Sequence, residues 1–343
     1  MRGMATQTTT QEEKLLVALQ SGVPFDPRPF ARIGRSVGLT EDDVLGRVRA
    51  MFDAGVARRF GAVFDSRSLG YASTLCAVDI PESALETSAA RLVPHPGITH
   101  CYQRDGHPNL WFTLTAPADA LKDELARVSR CLGSYPVLNL PALRKFKIEA
   151  VFGRGKRKPA AAAPESDPAL PLPSPVAPLN ENERQVVRRL QGSIPVVADP
   201  FGAIAQELGR DAASLLALLK QWKKSGVIRR VGLVVRHHQL GFEANSMCVW
   251  MVPADRIEPT GRIAGSSPHV THCYERPASA VFPYNLYAMV HAKTRQEAAE
   301  IFAQIAADAG LPPGRMLWSV REFKKSSPIF FCESASAAGD GPS

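Results

Sequence analysis

The chain has no apolar stretch approaching the ~20 residues that span a bilayer, which excludes a transmembrane helix. Its opening segment, MRGMATQTTTQEEK, is polar and lacks the apolar core of a secretory signal. The six cysteines (76, 101, 131, 248, 273 and 332) include no C-x-x-C pair, and no histidine has thiolate or carboxylate companions at metal-site spacing. These absences predict a cytoplasmic protein with reduced thiols, mostly small core hydrophobes, and no resident metal. What is present is ordinary for a globular protein: 45% hydrophobic and 22% charged residues over 343 positions. That length suits two to four domains at ~100–200 residues each. Lys and Arg outnumber Asp and Glu by 41 to 33. The excess suits an acidic partner, either nucleic acid or a carboxylate-rich ligand, and equally a plain basic surface.

The chain contains itself twice. Arg58-Arg59-Phe60-Gly61 returns as Arg229-Arg230-Val231-Gly232, Leu69-Gly70-Tyr71 as Leu240-Gly241-Phe242, and Thr99-His100-Cys101-Tyr102 as Thr271-His272-Cys273-Tyr274. A fused pair of this kind can form internally the contact surface that a homodimer forms between subunits. A Pro/Ala-rich segment at 153–178 reads as a linker between the units, and the polar tail at 333–343 reads as disordered.

Each unit divides again, giving an α+β tandem duplication. Residues 12–64 and 179–235 read as three helices and a short basic, apolar strand pair (Val56–Phe64 and Val227–Val235), the order of a winged helix-turn-helix. Thr40 with Asp43, and Asp211, are predicted helix caps. Residues 65–152 and 236–332 read as βαββαβ, a ferredoxin-like order in which both helices cover one sheet face and leave the other free.

Side chains two apart on a strand share a face. His272, Tyr274 and Arg276 therefore lie together, as do Asn285, Tyr287 and His291 on the neighbouring strand, with Leu286, Ala288 and Val290 turned under the helices. Unit one carries a thinner version: His100, Tyr102 and Arg104, then Asn109, Trp111 and Thr113. Thr115 replaces His291, and the Phe282-Pro283-Tyr284 segment has no counterpart. Such a face is compatible with solvation or burial in a dimer, but Lys and Glu would serve solubility better. A second basic cluster lies where the helical part meets the sheet: Arg229, Arg230, Arg236, His237 and His238, matched by Arg58, Arg59 and Arg67. Guanidinium forks bind carboxylates or phosphates at two points, so this cluster fits an anionic ligand or DNA.

At these residues the chain resembles the Lrp/AsnC regulators, and within that superfamily His-Cys-Tyr-Glu-Arg (272–276) followed by Phe-Pro-Tyr-Asn-Leu-Tyr-Ala-Met-Val-His (282–291) resembles the sirohaem decarboxylases in the fused form that serves haem d1 biosynthesis. The resemblance implies removal of carbon dioxide from two acetate side chains of sirohaem to give 12,18-didecarboxysirohaem, in haem d1 or alternative haem biosynthesis. It implies no cofactor beyond the iron tetrapyrrole substrate, and a homologous subunit or self-association as the partner. His272, His291 and His100, in that order, are the expected proton donors. Ligation of the substrate iron by one of them remains open. Arg229, Arg230, Arg236, Arg276, Arg58, Arg59 and Arg104, with His237 and His238, are expected to hold substrate carboxylates. Tyr274, Tyr284, Asn285, Tyr287 and Trp111, with Phe282, are expected to line a cavity between the free sheet faces. One main site, in unit two, is expected.

Two other classes stand beside the enzyme: a DNA-binding regulator and a tetrapyrrole carrier. The recognition helix of unit two begins Ala212-Ala213-Ser214-Leu215-Leu216, without Arg, Asn or Gln to read bases, so DNA binding is not expected.

Overall fold

The computed structural model describes residues 2–148, 178–235 and 244–332. The tail at 333–343, the linker up to residue 177, and Arg236, His237 and His238 lie outside them.

Unit one begins with helices α1 (Arg2–Ser21), α2 (Pro29–Val37) and α3 (Glu41–Asp53) and strand β1 (Ala57–Phe64). It continues with β2 (Tyr71–Val78), α4 (Glu82–Leu92), β3 (Ile98–Arg104), β4 (Leu110–Pro117), α5 (Leu121–Cys131), β5 (Val137–Pro141) and β6 (Arg144–Ile148). Unit two repeats the scheme with α6 (Glu181–Gln191), α7 (Pro200–Glu207), α8 (Ala212–Lys224) and β7 (Ile228–Val235). Then come β8 (Ala244–Trp250), α9 (Ile257–Ser266), β9 (Val270–Glu275), β10 (Leu286–Ala292), α10 (Arg295–Asp308) and β11 (Arg315–Lys325). Among the described residues no helix is long and apolar enough to cross a membrane.

Local chemistry sets the helix starts. Thr40 and Asp43 form a reciprocal capping box on α3, Asn180 and Glu183 form another on α6, and Asp211 accepts from Ser214 N–H on α8. Each cap is worth about 1 kcal/mol. Pro29 and Pro200 open α2 and α7, where a missing N–H costs nothing.

The two helical triplets do not form separate domains. Their apolar faces close on one core that joins Leu15, Phe30 and Val48 of unit one to Val187, Phe201 and Trp222 of unit two. The wing expected within each unit is instead shared. Each unit supplies a single strand, and β1 pairs antiparallel with β7, Gly61 opposite Gly232. These two glycines let the other unit's first helix end against the ribbon. A Cβ on Gly61 would come within 2.6 Å of the Gly192 carbonyl oxygen, and one on Gly232 would clash with the Leu19 carbonyl.

The remaining strands form one sheet in the order β5-β2-β4-β3-β11-β8-β10-β9-β6. Within it each unit keeps its own ferredoxin-like order, fourth strand-first-third-second. The units are sewn together by exchange of their final strands. The first part of β11 pairs with β8 of its own unit, and from Ser319 onward it pairs with β3 of unit one. Reciprocally, β5 stays on β2 while β6 crosses to β9.

The sheet faces away from the helices, expected to be free, pack on each other. Ala77, Trp111 and Leu140 of unit one meet Met247, Val249, Phe282, Tyr287 and Leu317 of unit two in an apolar core. The outer faces carry their own cores, with Cys101 and Phe112 under α4 and α5, and Cys273, Leu286, Ala288 and Val290 under α9 and α10.

Candidate active site

The alternation of β3 and β9 puts the same three side chains on the inner face of each unit. His272 stacks on Tyr274 with centroids 6.2 Å apart, and Arg276 lies 4.9 Å over the Tyr274 ring. His100 stacks on Tyr102 at 6.3 Å, with Arg104 5.8 Å over it. In both units the histidine Nδ1 is hydrogen-bonded to the hydroxyl of the preceding threonine, 3.0 Å for His272 with Thr271 and 2.9 Å for His100 with Thr99.

Both imidazoles are held neutral at pH 7. Burial pushes His272 down to about 4, and Arg276 and Arg229 add to the effect. Burial likewise pushes His100 down to about 4, aided by Lys325, His272 and Arg58. A charge on His272 would oppose one on His100, so the two imidazoles lie within electrostatic reach of each other. Cations from four elements converge there: Arg58 from β1, Arg229 from β7, Arg276 following β9 and Lys325 from the exchanged end of β11.

The stacks differ in their surroundings. Burial raises the pKa of Tyr274, while Arg276, Arg229 and Arg67 oppose the shift. Its cross-strand neighbour is Lys145 of β6. Tyr102 instead donates to Glu322 of β11 at 3.2 Å, and this carboxylate adds to burial in pushing the phenol up. The second difference lies behind the histidines. Thr271 Oγ1 also contacts His291 Nε2 at 2.9 Å, and His291 Nδ1 faces the Asn245 amide oxygen. Unit one has Thr115 bonded to Ser73 at 2.7 Å in those places.

The other residues singled out from the sequence divide by what they touch. Arg58 and Arg229 are exposed beside the imidazoles; Arg58 donates to the Lys325 carbonyl at 2.7 Å and Arg229 pairs with Asp65 across the units. Arg59 and Arg230 point elsewhere. Arg59 donates to the Gln191 carbonyl at the end of α6, and Arg230 to the Gln20 carbonyl at the end of α1. Each caps the other unit's first helix, where a cation also suits the helix dipole. Arg104 and Arg276 tie the sheets together by donating to Leu317 and Leu140.

Five expected lining groups are corrected by the geometry. Trp111, Tyr287 and Phe282 are buried in the core between the sheets, and Trp111 Nε1 donates to the Pro108 carbonyl. Asn285 spends its amide on both backbone groups of Val252, as Asn109 does on Ile80. Tyr284 packs on Phe282 with centroids 4.9 Å apart. The apolar fit between the faces therefore replaces the open cavity expected along them, and the imidazoles sit outside that fit. Two outer clefts, of about 650 Å³ beside Asp79, Glu82 and His107 and about 500 Å³ between α9 and α10, do not include either histidine of the stacks.

Sequence reasoning passed over Thr99, Thr271, Asn245, Ser73, Glu322 and Lys325. The threonines had a signal, since Thr-His is itself part of the duplicated block. Lys325 and Glu322 had none, because their places depend on strand exchange.

Comparison with known proteins agrees with this architecture. The AsnC-like ligand binding domain matches residues 68–147 and 239–324, and the siroheme decarboxylase NirDL-like HTH domain matches 12–58 and 183–229. The siroheme decarboxylase of Hydrogenobacter thermophilus is 34% identical over 94% of this chain and 95% of its own length. The siroheme decarboxylase alpha subunit of Desulfovibrio desulfuricans is 40% identical over 42% of this chain and 83% of its own length. Among solved structures, siroheme decarboxylase NirDL in complex with an iron-uroporphyrin III analogue superposes with a TM-score of 0.72 at 32% identity, covering 94% of this chain and 95% of that one.

Proposed function

Since this chain belongs to the sirohaem decarboxylase family, we propose that it is a carboxy-lyase that removes carbon dioxide from two acetate side chains of sirohaem, giving 12,18-didecarboxysirohaem for haem d1 biosynthesis. The observation that carries the site assignment is the paired imidazole–phenol–guanidinium stack at the junction of ribbon and sheets.

Sirohaem bears eight carboxylates, and the cations around His272 and His100 supply the opposite field. Arg229, Arg58, Arg67 and Lys325 hold peripheral carboxylates near the imidazoles. The same anionic charge raises the imidazole pKa from its low value in the empty site, so a proton enters with the substrate. As the C–CO2 bond breaks, its electron pair passes into the macrocycle. The exposed methylene carbon then takes the proton from the imidazole and becomes a methyl group. Each turn releases one CO2 and consumes one proton. The iron tetrapyrrole is its own electron sink, and no further cofactor is required.

The environment of the two phenols favours unit two as the main site. Tyr274 lies among three guanidinium groups, whereas Tyr102 donates to a carboxylate. A chain that joins both units also supplies its own partner half.

Anaerobic incubation of the purified protein with sirohaem, followed by mass analysis, tests the activity. Loss of two CO2 is expected. Unchanged sirohaem, bound or free, would overturn the enzyme reading in favour of a carrier, and salt-sensitive binding to a palindromic DNA site would favour a regulator.

A further inference from the structure

The hydrogen bonds behind His272 form a chain of four groups, and with a neutral His291 its proton inventory has one solution. The Asn245 amide oxygen faces His291 Nδ1 and can only accept, so His291 carries its proton on Nδ1. When His291 is neutral its Nε2 is bare, and the Thr271 hydroxyl beside it donates to that nitrogen. With its single proton spent, Thr271 Oγ1 can only accept from His272 Nδ1. Thr271 is 1% exposed, so water does not compete for its hydroxyl.

We propose that His291 is neutral in the free protein, and that Asn245, His291 and Thr271 are positioning residues that fix the proton of His272 on Nδ1 and leave its Nε2 lone pair directed to the substrate. His100 lacks this device. Thr99 contacts it in the same way, but Thr115 stands where His291 would be and bonds Ser73, and either hydroxyl of that pair can donate. Nothing in that pair dictates the direction of the Thr99 hydroxyl, so His100 keeps both neutral forms.

The consequence rests on the decarboxylase reading. Nε2 of His272 is the atom that takes up a proton when the substrate arrives and later delivers it to the methylene carbon, while Nδ1–H stays bonded to Thr271 throughout. The relay orients the ring and selects the reacting nitrogen, as a buried acceptor does for a catalytic histidine elsewhere. The tautomer itself is a property of the free protein and does not depend on that reading.

The test is a long-range 1H–15N correlation spectrum of the full chain with 15N-labelled histidines, without ligand, at pH 7.5. The His272 signal is assigned by its loss in His272→Gln. The expected result is a protonated Nδ1 and bare Nε2 for His272. Thr271→Val and Asn245→Leu should return His272 to mixed tautomers, while Thr271→Ser keeps the wild-type pattern and His100 is unchanged in all three. A protonated Nε2 on His272 in the wild-type protein overturns the proposal, whether or not any variant folds. So does an unchanged His272 pattern in both apolar variants. In sirohaem turnover, Thr271→Val should lower kcat on the order of tenfold with KM unchanged, and Thr271→Ser should restore it. Absence of turnover in the wild type would count against the decarboxylase reading alone, because the spectrum reads the relay independently.

Discussion

The imidazole sites of the two units share a backbone and differ in what stands behind and beside it. The unit-two histidine has His291 and Asn245 behind it and Lys145 of the exchanged β6 beside its tyrosine; the unit-one histidine has Thr115 and Ser73 behind it and Glu322 of the exchanged β11 beside its tyrosine. The common part (threonine, histidine, tyrosine, arginine) is the part that must match for two units to interlock, since Arg104 reaches β11 of unit two and Arg276 reaches β5 of unit one. The divergent part lies outside these clamps: His291 bonds Thr271 and Asn245, Thr115 bonds Ser73, and Glu322 accepts from Tyr102. Duplication therefore left the joint symmetrical and let the chemistry specialise.

The strongest way to break this comparison is to remove each histidine in turn. His272→Ala is expected to lower kcat for decarboxylation about 100-fold or more, the usual contribution of a positioned acid. His100→Ala should cost several-fold less. Equal losses in an anaerobic turnover assay would mean that the two units work as equivalent sites.

A second comparison sets the glycines of the ribbon against each other. Gly232→Val would press a branched side chain on the Leu19 carbonyl, and Gly61→Val on the Gly192 carbonyl. Backbone cannot yield as a flexible side chain does, so each should cost about 3 kcal/mol, near the upper range for overpacking. Urea midpoints read at a constant m-value check this. A neutral result at either position would mean that the helix end there is not held against the ribbon.

These positions show what the sequence made legible. The duplication, the caps at Thr40 and Asp211, and the face shared by His272, Tyr274 and Arg276 follow from spacing and short-range chemistry, and the structure has them. The partner of each strand does not follow from spacing. The Val56–Phe64 segment satisfies its backbone across the units rather than within one, because two equivalent edges compete for it. The same ambiguity hid the pairing of β11 with β3, and with it Lys325 and Glu322. Aromatic residues on an inner face read alike whether they meet a ligand or another sheet. Trp111 and Tyr287 meet the other sheet.

Adjacent arginines offer a sharper contrast. Arg230 is half-buried on the Gln20 carbonyl, and Arg229 is exposed beside His272 and paired with Asp65. Arg230→Ala strands that carbonyl and removes a helix-end cation, and should lower stability by about 1–2 kcal/mol with little change in KM. Arg229→Ala should do the reverse, raising KM for sirohaem several-fold with little loss of stability. A variant that moved both quantities together would erase the division between clamp and carboxylate holder.

The smallest expected effect is on acid stability, and its sign follows from the buried imidazoles. His100 and His272 are each lowered from an ordinary value near 6.5 to about 4. The unfolded chain therefore binds protons at these groups before the folded chain does, and stability falls as pH drops through that interval. Above pH 6.5 both forms are neutral at these positions and the contribution is fully present. Below about 4 both are charged and the loss is complete. Replacing either histidine by glutamine removes one such group, so the urea midpoint of the ligand-free variant should fall less steeply between pH 6.5 and 4 than that of the wild type. His272→Gln and His100→Gln should flatten the profile by similar amounts, because burial dominates both shifts. A profile flattened by only one of them would place the burial, and not just the chemistry, in a single unit.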